Sequence, residues 1–154
     1  MTDGFRKIAY FFAMVFVALS LGPSLAHLLE LPNKIALSRD DYFTVQTIYQ
    51  GWALLGVVVF VSLLATLTLT ISLRGDRTPM VLAGLAFLCV VGTQVVFWVF
   101  TFPANQATSN WTEIPENWEQ LRVQWEYSHA VAALLNLIAM VSLIGSLLSW
   151  KERR

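Results

Sequence analysis

Four apolar stretches decide what this chain can fold into. Each is long enough to cross about 30 Å of hydrocarbon at about 1.5 Å per helical residue. They cover 8–31, 51–73, 79–102 and 127–150. The second and third contain no charged residue, and the first and fourth carry ionisable groups only near one end. Only 13% of the 154 residues are charged, against about 25% in a soluble domain. The expected fold is therefore all-α: an integral membrane up-down-up-down four-helix bundle. It reads as a single four-span domain over 1–154, without linker, low-complexity tract or internal repeat.

Lysine and arginine set the expected orientation. Arg6 and Lys7, then Arg74 and Arg77, then Lys151, Arg153 and Arg154 fall on one side. Lys34, Arg39 and Arg122 are the smaller set on the other, alongside most of the acidic residues. Both termini are expected in the cytoplasm, most simply of a bacterial cell whose inner (plasma) membrane holds the chain. The run from Arg6 to Ala26 also fits a signal peptide cleaved after Ser24-Leu25-Ala26. The apolar stretch continues through Leu28, Leu29 and Leu31, so an uncleaved span kinked by Pro23 is preferred. The short loop from Arg74 to Thr78 is a turn, and Pro79 suits the first position of the next helix.

The chain has two histidines, each with a glutamate three residues away: His27 with Glu30, and Glu126 with His129. That spacing puts both members of a pair on one helix face. In the bundle both pairs fall near the same membrane surface, and ionisable residues at such depth usually serve a function. By helical phase, Trp118, Arg122, Trp125, Glu126 and Asn136 lie within about 60° of His129. Ser20, Ser24, His27 and Glu30 share a face of the first helix; Gln94, Thr101 and Asn105 share one of the third. Gln94 and Asn136 should sit at similar depth and point into the bundle. The plainer alternative is that both amides only hydrogen-bond neighbouring helices. Ser62, Thr66 and Thr70 form a small-residue packing face, and the cytoplasmic half is expected to hold no polar cluster beyond such hydroxyls. Cys89 is the only cysteine, which rules out a disulfide within the chain and a cysteine-based metal site.

The third span should end at Phe102-Pro103-Ala104-Asn105. A new helix should open at Pro115, with 115–126 projecting beyond the membrane before the last span begins. Trp111, Trp118 and Trp125 recur every seven residues. They suit an interfacial aromatic belt, or a lid over an outward-facing polar and aromatic cavity. Asn110-Trp111-Thr112 is a formal glycosylation sequon, a short motif of little weight.

Here the sequence resembles a known family. Phe102-Pro103-Ala104-Asn105, Trp111, Pro115-Glu116-Asn117-Trp118-Glu119-Gln120-Leu121-Arg122, Trp125-Glu126 and His129 look like the anthrone-oxygenase-like small four-span membrane proteins. The likeness covers about the C-terminal third; the first three spans agree only in number and length. It implies cofactor-free oxidation of an apolar aromatic compound by dioxygen. Many members carry a basic residue three after the histidine, where this chain has Ala132.

Three functions are consistent with these residues. The first is an oxygenase or related redox enzyme without cofactor. His129 would be the base, since an ordinary imidazole titrates near about 6.5. Glu126 would orient it, and His27 and Glu30 would complete the catalytic group. Arg122, Gln94 or Asn136 would steady the enolate. Asn105, Trp118, Trp125, Gln94 and Asn136 would contact the substrate. The second is a transition metal or haem held by His27, Glu30, Glu126 and His129, on the pattern of Glu-x-x-His half-sites. The third is a non-enzymatic subunit or scaffold within an oligomer or beside a larger membrane partner. The expected surroundings are the lipid bilayer and an apolar aromatic small molecule. No glycine-rich phosphate loop, basic stripe or nucleophile elbow points to nucleotides, nucleic acid or serine hydrolysis.

Overall fold

A computed structural model gives the structure of residues 2–151. Arg153 and Arg154 of the basic C-terminal group lie outside the described residues. Among the described residues every regular element is helical. Four helical segments are long and apolar enough to cross a membrane: Asp3–Lys34, Trp52–Ser72, Arg77–Ala107 and Trp118–Ser149. The chain is thus a multi-pass membrane protein.

Helix α1 (Asp3–Lys34) starts on a Thr2 cap, whose hydroxyl accepts the Phe5 N–H at 3.3 Å. It runs through both Pro23 and Pro32 and so ends three residues later than Leu31, the end expected from sequence. Prolines are tolerated in such helices when neighbouring groups satisfy the backbone they free. The added turn carries Lys34 into the bundle, at a helix C-terminus whose dipole favours a cation. The following connection is not an open loop. Ser38 caps the short helix α2 (Arg39–Gln46) by accepting the Asp41 N–H, and its hydroxyl donates back to Asp41 Oδ2 at 2.6 Å. Two 3-10 turns follow, Thr47–Tyr49 and Trp52–Leu54, separated by Gly51 at φ 85°.

Helix α3 (Leu55–Ser72) and helix α4 (Arg77–Val96) are joined by the expected tight turn. Pro79 is the third residue of α4 rather than the first. It still stands where helix N–H groups have no intrahelical partner, so its missing donor costs nothing. Pro103 does not end the third span as expected. A π-helical segment, Phe97–Thr101, precedes it, and helix α5 (Phe102–Ala107) continues past it. The wider turn accommodates the ring, and the Gln124 side-chain amide donates to the Phe100 carbonyl at 2.7 Å. Helix α6 (Trp118–Ser149) opens three residues after Pro115, which was expected to open it. Pro115 instead closes a turn through its carbonyl, which accepts the Trp118 N–H.

Helix α1 packs on α3 and α6, and α4 packs on the same two, so the four long helices close a ring in which the first and last are neighbours. Along α1 the numbering rises as it falls along α6. Tyr10 Oη lies 2.8 Å from Ser146 Oγ, Asn136 Nδ2 donates to Ser24 Oγ at 2.9 Å, and His27 meets His129. Small residues line the centre: Ala9 and Ala13 of α1, Ala83 and Ala86 of α4, and Ala139 of α6. They let the backbones approach closely, which is what drives helix packing in lipid. Large side chains such as Phe11, Phe60, Leu88 and Leu148 face outward. Ser62, Thr66 and Thr70 return their hydroxyls to carbonyls four residues earlier, as a packing face would.

The opposite end from the histidines carries a polar cluster that the sequence did not lead us to expect. Arg6 is 3% exposed. Its Nε donates to Ser72 O at 3.1 Å, and its Nη1 lies 3.1 Å from Asp76 and 3.5 Å from Asp3. Because α1 already starts at Asp3, Arg6 falls on the inward face, beside the end of α3.

Candidate functional site

The antiparallel meeting of α1 and α6 places the two imidazoles in contact, with ring centroids 4.3 Å apart and planes inclined at 51°. His27 is 5% exposed and is surrounded by rings: Tyr49 at 4.7 Å, Trp125 edge-on at 5.1 Å and Trp52 at 5.7 Å. His129 lies 4.0 Å from the Trp125 ring. Its Nδ1 is 2.9 Å from the Trp125 carbonyl, one helical turn back. A carbonyl only accepts, so this bond fixes the proton on Nδ1 and leaves Nε2 as the basic nitrogen.

Neither histidine is paired with its expected glutamate. Glu126 has no exposed surface, and its Oε1 lies 2.9 Å from Lys34 Nζ and accepts the Tyr42 phenol at 2.9 Å. A carboxylate so completely buried needs a cation, which a neutral imidazole does not supply. Glu30 is partly exposed and accepts the Tyr49 phenol, with Lys34 Nζ 3.9 Å away. Lys34, itself 4% exposed, also donates to Tyr49 Oη at 3.0 Å. Its ammonium sits 4.5 Å from the Tyr49 ring centre and 4.7 Å from that of Trp125, within range of cation–π attraction. Gln46 completes the set by donating its amide to Tyr42 Oη. Burial raises the Tyr42 phenol above its ordinary value, and the charge of Glu126 raises it further. Burial likewise raises Tyr49, with the hydrogen bond to Glu30 adding to it. Both phenols therefore remain protonated donors at physiological pH.

The remaining expected residues have structural partners. Arg122 donates Nη1 to the Leu37 carbonyl at 2.8 Å and stacks over Trp118 at 4.7 Å, so it pins the α1–α2 connection rather than facing an imidazole. Asn105 Oδ1 accepts from the indoles of both Trp125, at 2.8 Å, and Trp111, at 3.2 Å. It thereby holds the ring on which His129 rests. Trp118 packs beside Tyr42 and Phe43. Gln94 donates to its neighbour Thr93 at 3.4 Å, while Asn136 bonds Ser24 across the α1–α6 interface. Asn136 thus follows the packing alternative.

His27, Glu30, Glu126 and His129 do not converge on one point. Among the described residues no three His, Cys, Asp or Glu side chains are grouped to hold a metal ion. Tyr49, Trp52 and Trp125 pack against His27. One concavity lies elsewhere, between Phe5, Phe12 and Leu64; another lies at Ser38, Asp40 and Trp118. Neither touches a histidine. Among the described residues, four buried polar atoms at this end have no hydrogen-bond partner: His27 Nδ1, Gln46 Oε1, Arg122 Nε and Glu126 Oε2.

Sequence reasoning missed Lys34, Tyr42, Gln46 and Tyr49. Ser38-Arg39-Asp40-Asp41 is a capping-box pattern that marks the start of α2. Tyr42 and Gln46 stand four apart on that helix, hence on one face. No family model, curated protein or solved structure matches this chain.

Proposed function

We propose that this chain is an anthrone-oxygenase-like membrane enzyme. It takes a proton from an activated C–H of an apolar aromatic substrate and lets the carbanion react with dioxygen without a cofactor. In the anthrone case the ring methylene loses two hydrogens and gains one oxygen. The second oxygen atom of dioxygen leaves as water, so substrate and dioxygen account for all atoms and electrons. His129 Nε2 is the base. The Trp125 carbonyl orients it, in the role first given to Glu126. Lys34 replaces Arg122 as the charge that steadies the enolate. The bundle runs up-down-up-down with both termini in the cytoplasm, so the site lies under the extracytoplasmic face of the membrane.

The observation that supports this reading best is the contact between the buried imidazole of His27 and the half-buried imidazole of His129, the latter with its basic nitrogen fixed. Purified protein in lipid nanodiscs should convert anthrone to anthraquinone with uptake of dioxygen. His129→Ala should lower the rate about 100-fold or more, the usual worth of a positioned base. Quinone formation at the same rate in wild type, His129→Ala and protein-free nanodiscs refutes the assignment.

One observation favours a second reading, a non-enzymatic subunit. The imidazoles are packed among rings, and Asn136 and Arg122 are engaged in holding helices and loop. Stoichiometric co-purification with a larger membrane protein, together with absence of turnover, would decide for it.

A further inference from the structure

One of the rings packed against His27 is a phenol. The Tyr49 ring lies among His27 at 4.7 Å, Trp52 at 5.0 Å and Trp125 at 5.6 Å. Its oxygen accepts from Lys34 Nζ and donates to Glu30. A cation and a carboxylate at the oxygen and three aromatic faces around the ring are surroundings that would equally suit a free phenol. The segment carrying Tyr49 is a short connector. Its 3-10 turn closes with a 3.2 Å backbone bond from Gln50 N–H to Thr47 O, and it is followed by Gly51 in the left-handed region. Ile48 beside it is exposed. Short 3-10 turns of this kind commonly serve as connectors between elements, and the glycine leaves the backbone free to rearrange.

We infer that Tyr49 occupies a binding slot for a flat phenolic ring and leaves it by movement of the 47–51 turn. The ligand's ring would take the place of the tyrosine ring against His27, Trp52 and Trp125. Its hydroxyl would take over the contacts with Lys34 and Glu30. The slot would admit phenols and enols, whose oxygen matches that pair, in preference to plain hydrocarbons of the same shape. This names the substrate class of the proposed enzyme, and as a statement about catalysis it rests on that reading. As a statement about binding it stands apart.

The test uses p-cresol, which is the tyrosine side chain detached from the backbone, with toluene as the control lacking the hydroxyl. In nanodiscs, p-cresol should raise the Tm of Tyr49→Ala by several degrees and leave wild type nearly unmoved. Its Kd for the variant should be at least tenfold lower than for wild type, and toluene should give less than half the shift. Equal shifts in both proteins, or toluene matching p-cresol, overturns the slot. Gly51→Ala keeps the tyrosine but strains its φ of 85°. It should loosen the segment and improve p-cresol affinity at least threefold over wild type, and no improvement counts against the hinge. A variant that binds p-cresol while no form oxidises anthrone refutes the enzyme and keeps the slot. Turnover of anthrone with no p-cresol binding in Tyr49→Ala does the reverse.

Discussion

Glu126 and Lys34 are both removed from solvent, so each charge depends on the other and on Tyr42 and Tyr49. Removing one partner of a buried pair leaves an uncompensated charge and costs about 3–5 kcal/mol, whereas replacing both by apolar groups is often close to neutral. Lys34→Met alone should therefore destabilise the protein by about that amount, and Lys34→Met with Glu126→Leu should recover most of it. Denaturant titration of the four proteins in a double-mutant cycle measures the coupling. Additive losses in the double variant would show that the pair is not coupled. The two histidines were legible from sequence because ionisable residues are rare inside apolar runs. Lys34 was not, because a lysine just past a span reads as a loop charge. It enters the site only because α1 continues through Pro32.

Element existence followed from hydropathy, since about 20 apolar residues suffice to specify a crossing. Element ends did not, because prolines that stop soluble helices are absorbed here by a π turn and by side chains such as Gln124. Helix α2 escaped notice for a different reason: it is short and polar, and its only local signal is the Ser38 cap. That cap bears on the site, for α2 brings Tyr42 and Gln46 onto Glu126. Replacing an N-cap serine by alanine costs about 1 kcal/mol. Ser38→Ala should therefore speed amide exchange across 39–46 several-fold and lower Tm by a few degrees, while leaving exchange in α3 and α4 unchanged. Unaltered exchange over 39–46 would mean that packing, rather than the cap, holds α2.

The molecule as a whole has a small-residue centre and a buried cation at each end, Arg6 at one and Lys34 at the other. Both are surrounded by carboxylates, so burial does not tell the two ends apart. The difference lies in the exposed basic residues, and those set orientation largely irrespective of nearby acids. Arg74, Arg77 and Lys151 are exposed at the Arg6 end, which should be cytoplasmic; Arg39 is the exposed one at the other. Cys89 is buried, so single cysteines introduced on a Cys89→Ala background report cleanly on sidedness. Glu113 and Thr78 are exposed and stand at opposite ends of the bundle. In intact cells a membrane-impermeant maleimide should label Glu113→Cys at once and Thr78→Cys only after permeabilisation. The reverse pattern would turn the imidazoles toward the cytoplasm. A substrate of the proposed activity would then have to reach Tyr49 from inside the cell, and the proposed extracytoplasmic placement of the site would fall while the His27–His129 contact remained.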